Sequence, residues 1–365
     1  MLLTPGPTAV PEFIRKSMAN ETIHHRTKEF ENLFKNTREL LKKLLNMQEV
    51  VVFATTGTGA MEAAVLNFCK KKAVVINSGK FGERFSKICQ AHNKPFVELK
   101  QQWHTPVCLE DIKDSLNQHK DIDTIFLQIC ESSGGLRHPV ESITKLVKSI
   151  NKDIIIVADG ITAVGVEHIN TTNIDVLIAG SQKALMLPPG LSIVGLSSQA
   201  INSLQSFSAG YYLNLKVELD KQKQNTTAYT APTTLIIGLQ KVLQTMDDIG
   251  FDKIYKDTKK RAAATRKSLE ALGMKIYPKA PSDAMTTIYH EQSTLIRDML
   301  KNSFDINIAG GQDHLKGKIF RINHMGFVKN YEAFWVVNAI ELCLDKLGLR
   351  QFDSTANQIM AKEML

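Results

Sequence analysis

The stretch I-D-V-L-I-A-G-S-Q-K-A-L-M-L-P-P-G, Ile174 to Gly190, reads as a short buried strand that ends in a polar turn. One lysine, Lys183, stands where the apolar run stops, between Gln182 and a series of small or apolar residues. That is a poor place for a solvated surface charge. Partial burial of an ammonium lowers its pKa, and a lysine so placed is the usual amine for a Schiff base with an aldehyde. A structural lysine at a strand end would look similar, so the argument turns on what accompanies it.

Strands of the same kind precede it. Apolar runs are expected as strands at 50–54, 73–77, 95–99, 124–129, 154–158, 174–179 and 191–196. Helical patterns fill gaps between them, notably at 60–70, 84–92, 109–117 and 140–151. Continuous apolar strands alternating with helices indicate an α/β fold with a mostly parallel, seven-stranded sheet covered on both faces. Ligands then sit beyond the carboxyl ends of the strands. Past residue 196 the alternation weakens. A smaller α+β unit follows, with helices at 251–272, 293–301 and 331–347 and strands at 274–277, 285–289, 306–309 and 318–323. The expected organisation is an N-terminal arm (1–20), a large domain (21–245) and a small C-terminal domain (246–365), with the last dozen residues peripheral. Pro5, Gly6, Pro7 and Pro11 make the arm extended rather than helical.

The strand ends carry the chemistry. After the first strand, T-T-G-T-G-A-M-E (Thr55 to Glu62) opens a helix with hydroxyls and glycines, so its backbone N–H groups face an anion. It is neither a Walker loop nor a dinucleotide fingerprint, and it can also be read as a plain turn capped by threonine. N-S-G-K-F-G-E-R presents Phe81, either a core plug or a cover for a flat ring. C-E-S-S-G-G supplies Ser132 and Ser133. Asp159 ends an apolar strand, where a carboxylate needs a partner unless it is a helix cap. Together the rim offers an anion cradle (Thr56, Gly57, Thr58), an aromatic cover, a hydroxyl pair, a buried acid and a desolvated lysine. Those are the groups that pyridoxal 5′-phosphate requires.

Composition narrows the classes. An apolar content of 43% and a charged content of 22% are those of an ordinary soluble globular protein. The net charge of +8 comes from scattered lysines without interleaved aromatics, so anionic small substrates are favoured over nucleic acid. Five cysteines lack metal-ligand spacing, His24 and His25 have no third ligand nearby, and no run approaches a membrane span. Neither a charged nor an apolar leader region is visible at the N-terminus. A cytoplasmic location is expected, with no membrane and no metal.

The sequence resembles the class V, fold-type I aminotransferases, closest to the alanine–glyoxylate and serine–pyruvate branch. T-P-G-P-T-x-V-P, H-H-R, E-S-S-G-G, G-S-Q-K-A-L-x-x-P-P-G and the late arginine in G-K-I-F-R-I-N-H carry the likeness across most of the chain. The resemblance implies that Lys183 forms the Schiff base and then shuttles a proton at the substrate α-carbon. It implies that Asp159 pairs with the pyridine nitrogen, Phe81 stacks on the ring, and Thr56, Gly57, Thr58 and Gln182 hold the phosphate. Ser133 would bond near the phenolic oxygen. Tyr229 and Thr230 match the segment that reaches the phosphate from the neighbouring subunit, which implies a homodimer. Arg321 matches the arginine that binds the substrate carboxylate, and a planar guanidinium suits that task. The expected reaction is ping-pong transfer from alanine or serine to glyoxylate or pyruvate. The alternatives are 2-aminoethylphosphonate–pyruvate transamination, a cysteine desulfurase-like activity, and a non-catalytic binding protein on a borrowed fold. Ile129, Cys130, the Gly134–Gly135 pair, Phe81 and Thr58 depart from the pattern and leave the substrate open.

Overall fold

The computed structural model describes Met1 to Met364. Its main sheet has seven strands, ordered from one edge as Glu49–Phe53, Ser192–Leu196, Val176–Gly180, Ile155–Asp159, Ile122–Gln128, Lys72–Asn77 and Phe96–Lys100. Ser192–Leu196 is antiparallel to both neighbours, and the other pairings are parallel. Six strands therefore point one way, and their carboxyl ends form one rim.

Strict alternation sorts the strand residues onto two faces. Val74, Ile125, Ile156, Leu177 and Ile193 join one apolar cluster with the helices Lys28–Leu45, Leu109–Gln118, Val140–Ile150 and Thr233–Ile249. Val75, Phe126, Val157, Ile178 and Val194 join the other with Gly57–Phe68 and Lys80–Ala91. Burial on both sides is why these strands are apolar throughout. The register also sets the rim: Val75 is level with Phe126, and Gln128 with Asp159.

A second, antiparallel sheet runs Lys275–Ile276, Met285–Tyr289, Ile319–Asn323, Ala309–Gly310. Phe320 and Ile322 pack with Ile296, Leu300, Val336 and Ile340 from the covering helices. Arg321, between them in sequence, falls on the opposite face.

Four segments differ from expectation. The arm is not wholly extended: Glu12–Met18 is a helix that starts after Pro11. Proline is tolerated there because the first helical N–H groups need no intrahelical partner. The last dozen residues, as far as Met364, are not peripheral, and Leu365 lies outside the described residues. Helix Thr355–Met364 spaces Ala356, Met360 and Met364 four apart and buries them in the apolar cluster of the small sheet. Two further helices, Ser198–Ser206 and Leu215–Gln222, occupy the stretch where the alternation fades. Ala200, Leu204, Leu215 and Leu219 bury one face of that pair against the main sheet. Among the described residues no helix is long and apolar enough to cross a membrane.

Candidate active site

Lys183 lies three residues beyond strand Val176–Gly180 and is 9% exposed. The arm covers it. Leu3 is tied to the small sheet through Leu3 N to Asn307 O (2.8 Å) and Asn323 N to Leu3 O (2.9 Å). From there the chain crosses the rim. Lys183 Nζ donates to the Pro5 carbonyl, Thr8 Oγ1 donates to the Lys183 carbonyl at 2.7 Å, and Thr8 N donates to the Gln182 carbonyl at 3.0 Å. Gly6 has φ +118°, and a Cβ there would stand 2.4 Å from Lys183 Nζ, so only glycine fits. Burial first, and then the Arg321 charge, bring the lysine down to about 8. A lysine so lowered is partly neutral near pH 8, as a nucleophilic amine must be.

Asp159 closes strand Ile155–Asp159 and is buried. Its Oδ1 accepts one hydrogen bond, from Ile161 N at 2.9 Å. No cation lies within ion-pair distance of it among the described residues. Burial, opposed by that amide, pushes the carboxyl up to about 7.

Glu131 behaves otherwise. On the short ribbon Cys130–Glu131 with Leu136–Arg137, it is wholly buried. Oε2 accepts from Phe81 N (2.9 Å) and Gly82 N (3.0 Å), and Oε1 accepts from Ser133 N (3.1 Å) and Ser133 Oγ (2.6 Å). It thereby ties the start of helix Lys80–Ala91 to the serine turn, and Ser133 Oγ in turn accepts from Lys80 N at 3.1 Å. In the sequence it was merely part of a small, hydroxyl-bearing turn. The available signal was an acid standing in an otherwise apolar and small run.

Arg321 reaches the same turn from the small sheet. Nη1 donates to Ser132 O at 2.7 Å, and Nε and Nη2 donate to Gly310 O at 3.2 and 2.7 Å. It is 8% exposed, and burial brings it down to about 10. No carboxylate pairs with it among the described residues.

Helix Gly57–Phe68 begins at Thr56 without a side-chain cap. Gly57 presses on the segment after Asp159, where a Cβ would meet Ile161 Cδ1 at 2.3 Å. Thr58 Oγ1 accepts from Arg84 Nη1 at 2.9 Å, and the Arg84 guanidinium lies over the Phe81 ring, 4.7 Å from its centroid. The Gln182 side chain makes no hydrogen bond, and its Oε1 is buried. Phe81 and Thr58 are thus joined through Arg84, and Phe81 and Ser133 through Glu131. Arg321 reaches the same serine turn, and Gly57 presses on the segment after Asp159. Asp159 and Arg321 both bear on the charge of Lys183, the neighbour of Gln182. Tyr229 and Thr230 are not among them. Tyr229 packs with Tyr211 and Tyr212 and donates to Tyr211 O at 2.9 Å, and Thr230 is exposed. Pro5, Thr8 and Arg84 were missed in the sequence. Only Arg84 left a local sign there, three residues after Phe81 on one helix.

Known proteins resemble this chain over almost its whole length. The chain is 46% identical over 364 residues to an uncharacterised aminotransferase of Helicobacter pylori, covering 100% of this chain and 99% of that protein. It is 26% identical over 369 residues to the serine–glyoxylate aminotransferase of Methylorubrum extorquens, covering 96% and 92%. The crystal structure of an aspartate aminotransferase of subgroup IV from Thermus thermophilus superposes with a TM-score of 0.88 at 28% identity, covering 94% of this chain and 99% of that one. The family model for class-V aminotransferases matches residues 8–328, and the chain belongs to that family.

Proposed function

We propose that this aminotransferase moves an amino group from a small amino acid, alanine or serine, to a small 2-oxo acid, glyoxylate or pyruvate, in two half-reactions with pyridoxal 5′-phosphate in the rim. The observation that carries the reading is Arg321, a buried guanidinium that meets only backbone carbonyls and has no acid of its own. A substrate carboxylate supplies the missing counter-charge.

The residues present fit the cofactor. Asp159 has capacity for a ring N–H beyond its one bond, and the Gln182 amide is unpartnered. The uncapped start of helix Gly57–Phe68 suits a phosphate. Bound there, the cofactor supplies an electron sink that makes the Cα–H bond of an amino acid acidic.

The chain's own groups do the rest. Arg321 orients the carboxylate. Lys183 Nζ, neutral above about pH 8, is the amine for the aldehyde and takes and returns the proton at Cα. Pro5 O holds that nitrogen in place. Cys130 is buried, and its thiol is pushed up to about 12, so it stays protonated and weighs against a desulfurase. A phosphonate suits Arg321 as well as a carboxylate, which keeps 2-aminoethylphosphonate as the second donor.

Tyr229 and Thr230, exposed or half-buried and apart from Lys183, would serve the site of a second copy in a homodimer. Division into an arm, a large and a small domain belongs to the same proposal. The two separate sheets support it, and helix Thr233–Ile249 runs across the boundary at 245/246. Unpaired cysteines accord with a cytoplasmic setting.

The test is a spectrum of the pyridoxal-loaded protein titrated with L-alanine, L-serine and 2-aminoethylphosphonate. Bleaching by alanine or serine that glyoxylate or pyruvate reverses supports the proposal. A band that none of these donors disturbs refutes the substrate class.

A further inference from the structure

Arg84 lies one turn beyond Phe81 on helix Lys80–Ala91 and touches two parts of the rim at once. Its guanidinium carbon stands 4.7 Å from the Phe81 ring centroid, and its Nη1 donates to Thr58 Oγ1 at 2.9 Å. Thr58 is the second residue of helix Gly57–Phe68, whose uncapped start is the phosphate turn. One planar cation therefore spans the aromatic ring and the anion cradle.

Arg84 has no acid to satisfy it. Neighbouring Glu83 is occupied by Lys80 and Lys87, and no carboxylate lies within ion-pair distance of Arg84 among the described residues. The Phe81 ring, for its part, has little else to hold it. Phe81 N is fixed by Glu131, yet the side chain belongs to none of the three apolar clusters and pairs with no other aromatic ring. A guanidinium over an aromatic ring is a contact that a lysine reproduces poorly. Burial is the main influence on Asp159 and Lys183, raising the one and lowering the other, and the Arg84 charge is a smaller influence on both, which places it within the field of the reacting groups.

We propose that Arg84 is a positioning residue: it fixes the Phe81 ring relative to the Thr58 turn, so that the slot for a flat ring and the cradle for its phosphate keep one spacing. Arg84 covers one face of Phe81 and leaves the other for the cofactor ring. The inference rests on the reading that the rim takes pyridoxal phosphate.

The experiment compares wild type, Arg84→Met, Arg84→Lys, Thr58→Val and the Arg84→Met/Thr58→Val pair. Two quantities are read: the dissociation constant for pyridoxal 5′-phosphate, and the circular dichroism induced in the bound chromophore, which reports how the ring is held. Arg84→Met is expected to weaken binding about tenfold, the scale of one cation–π contact with one charged hydrogen bond, and to change the induced signal. Arg84→Lys is expected to recover little of either. Thr58→Val is expected to lose less, and the double variant is expected to lose less than the sum of the two single losses, since both changes remove the same Arg84–Thr58 contact. Should Arg84→Met fail to fold, Arg84→Lys and Thr58→Val carry the same comparison. Binding within twofold of wild type with an unchanged signal, or additive losses, would overturn the inference. So would tighter binding, which would mean that the guanidinium stands where the cofactor ring belongs. A wild type that binds no pyridoxal phosphate defeats the functional reading instead.

Discussion

Glu131 and Asp159 are both buried carboxylates of one rim, and the chain treats them in opposite ways. Glu131 receives four hydrogen bonds from Phe81, Gly82 and Ser133. Asp159 receives one, from Ile161. Burial raises the pKa of both groups. A buried acid that is fully bonded within its own chain is a fastener for the backbone around it. A buried acid left with one bond, on a rim that also carries an unpartnered glutamine and an unpaired arginine, is poised for something that arrives from outside. The difference separates the residues that build the site from those that use it.

The sharpest way to break that contrast is Asp159→Asn. On the proposed function, loss of the carboxylate that would partner the cofactor ring should lower the transfer rate by a factor on the order of 10³, read as the rate of the half-reaction with alanine. Stability of the unliganded protein should move the other way. The folded value near 7 lies above the ordinary 3.8, so the cost of the ionised carboxylate grows as pH rises from about 4 to about 7 and stays constant above. The variant should therefore melt higher than wild type at pH 8, and the gap should close toward pH 4. A thermal melt at the two pH values checks the sign.

Glu131→Ala should do the reverse. Removing an acceptor shared by four donors should cost about 3 kcal/mol of stability, read as a lower urea midpoint. If Glu131→Ala left stability untouched while Asp159→Asn unfolded the protein, the division between the two acids would be wrong. The third test sharpens the contrast from the small sheet. Arg321→Lys keeps the charge but loses the fork, and should raise KM for the amino donor about 30- to 100-fold, or about 2–3 kcal/mol. Cofactor affinity should barely change, because the proposal assigns Arg321 to the substrate and not to the cofactor.

Most of this was legible in the chain, for a physical reason. Strands buried on both faces are apolar throughout, so the seven runs stood out, and the polar residues that ended them marked the rim. Lys183 and Asp159 were singled out because each ends such a run, and Arg321 because the resemblance matched it to a carboxylate-binding arginine. Glu131 was hidden because its importance lies in donors about 50 residues earlier in the chain. The cover over Lys183 was hidden more deeply, since Pro5 is 178 residues away and proline in an arm signals only extension. Helix Thr355–Met364 was passed over because its burial depends on a partner helix, Phe251–Ala271, whose position no local pattern records.

The most direct measurement of the account is chemical. Pyridoxal-loaded protein is reduced with borohydride, digested, and its peptides are read by mass spectrometry. The account predicts a pyridoxyl group on Lys183, absent from Lys183→Ala. A label carried by other lysines, with Lys183 unmodified, would contradict it.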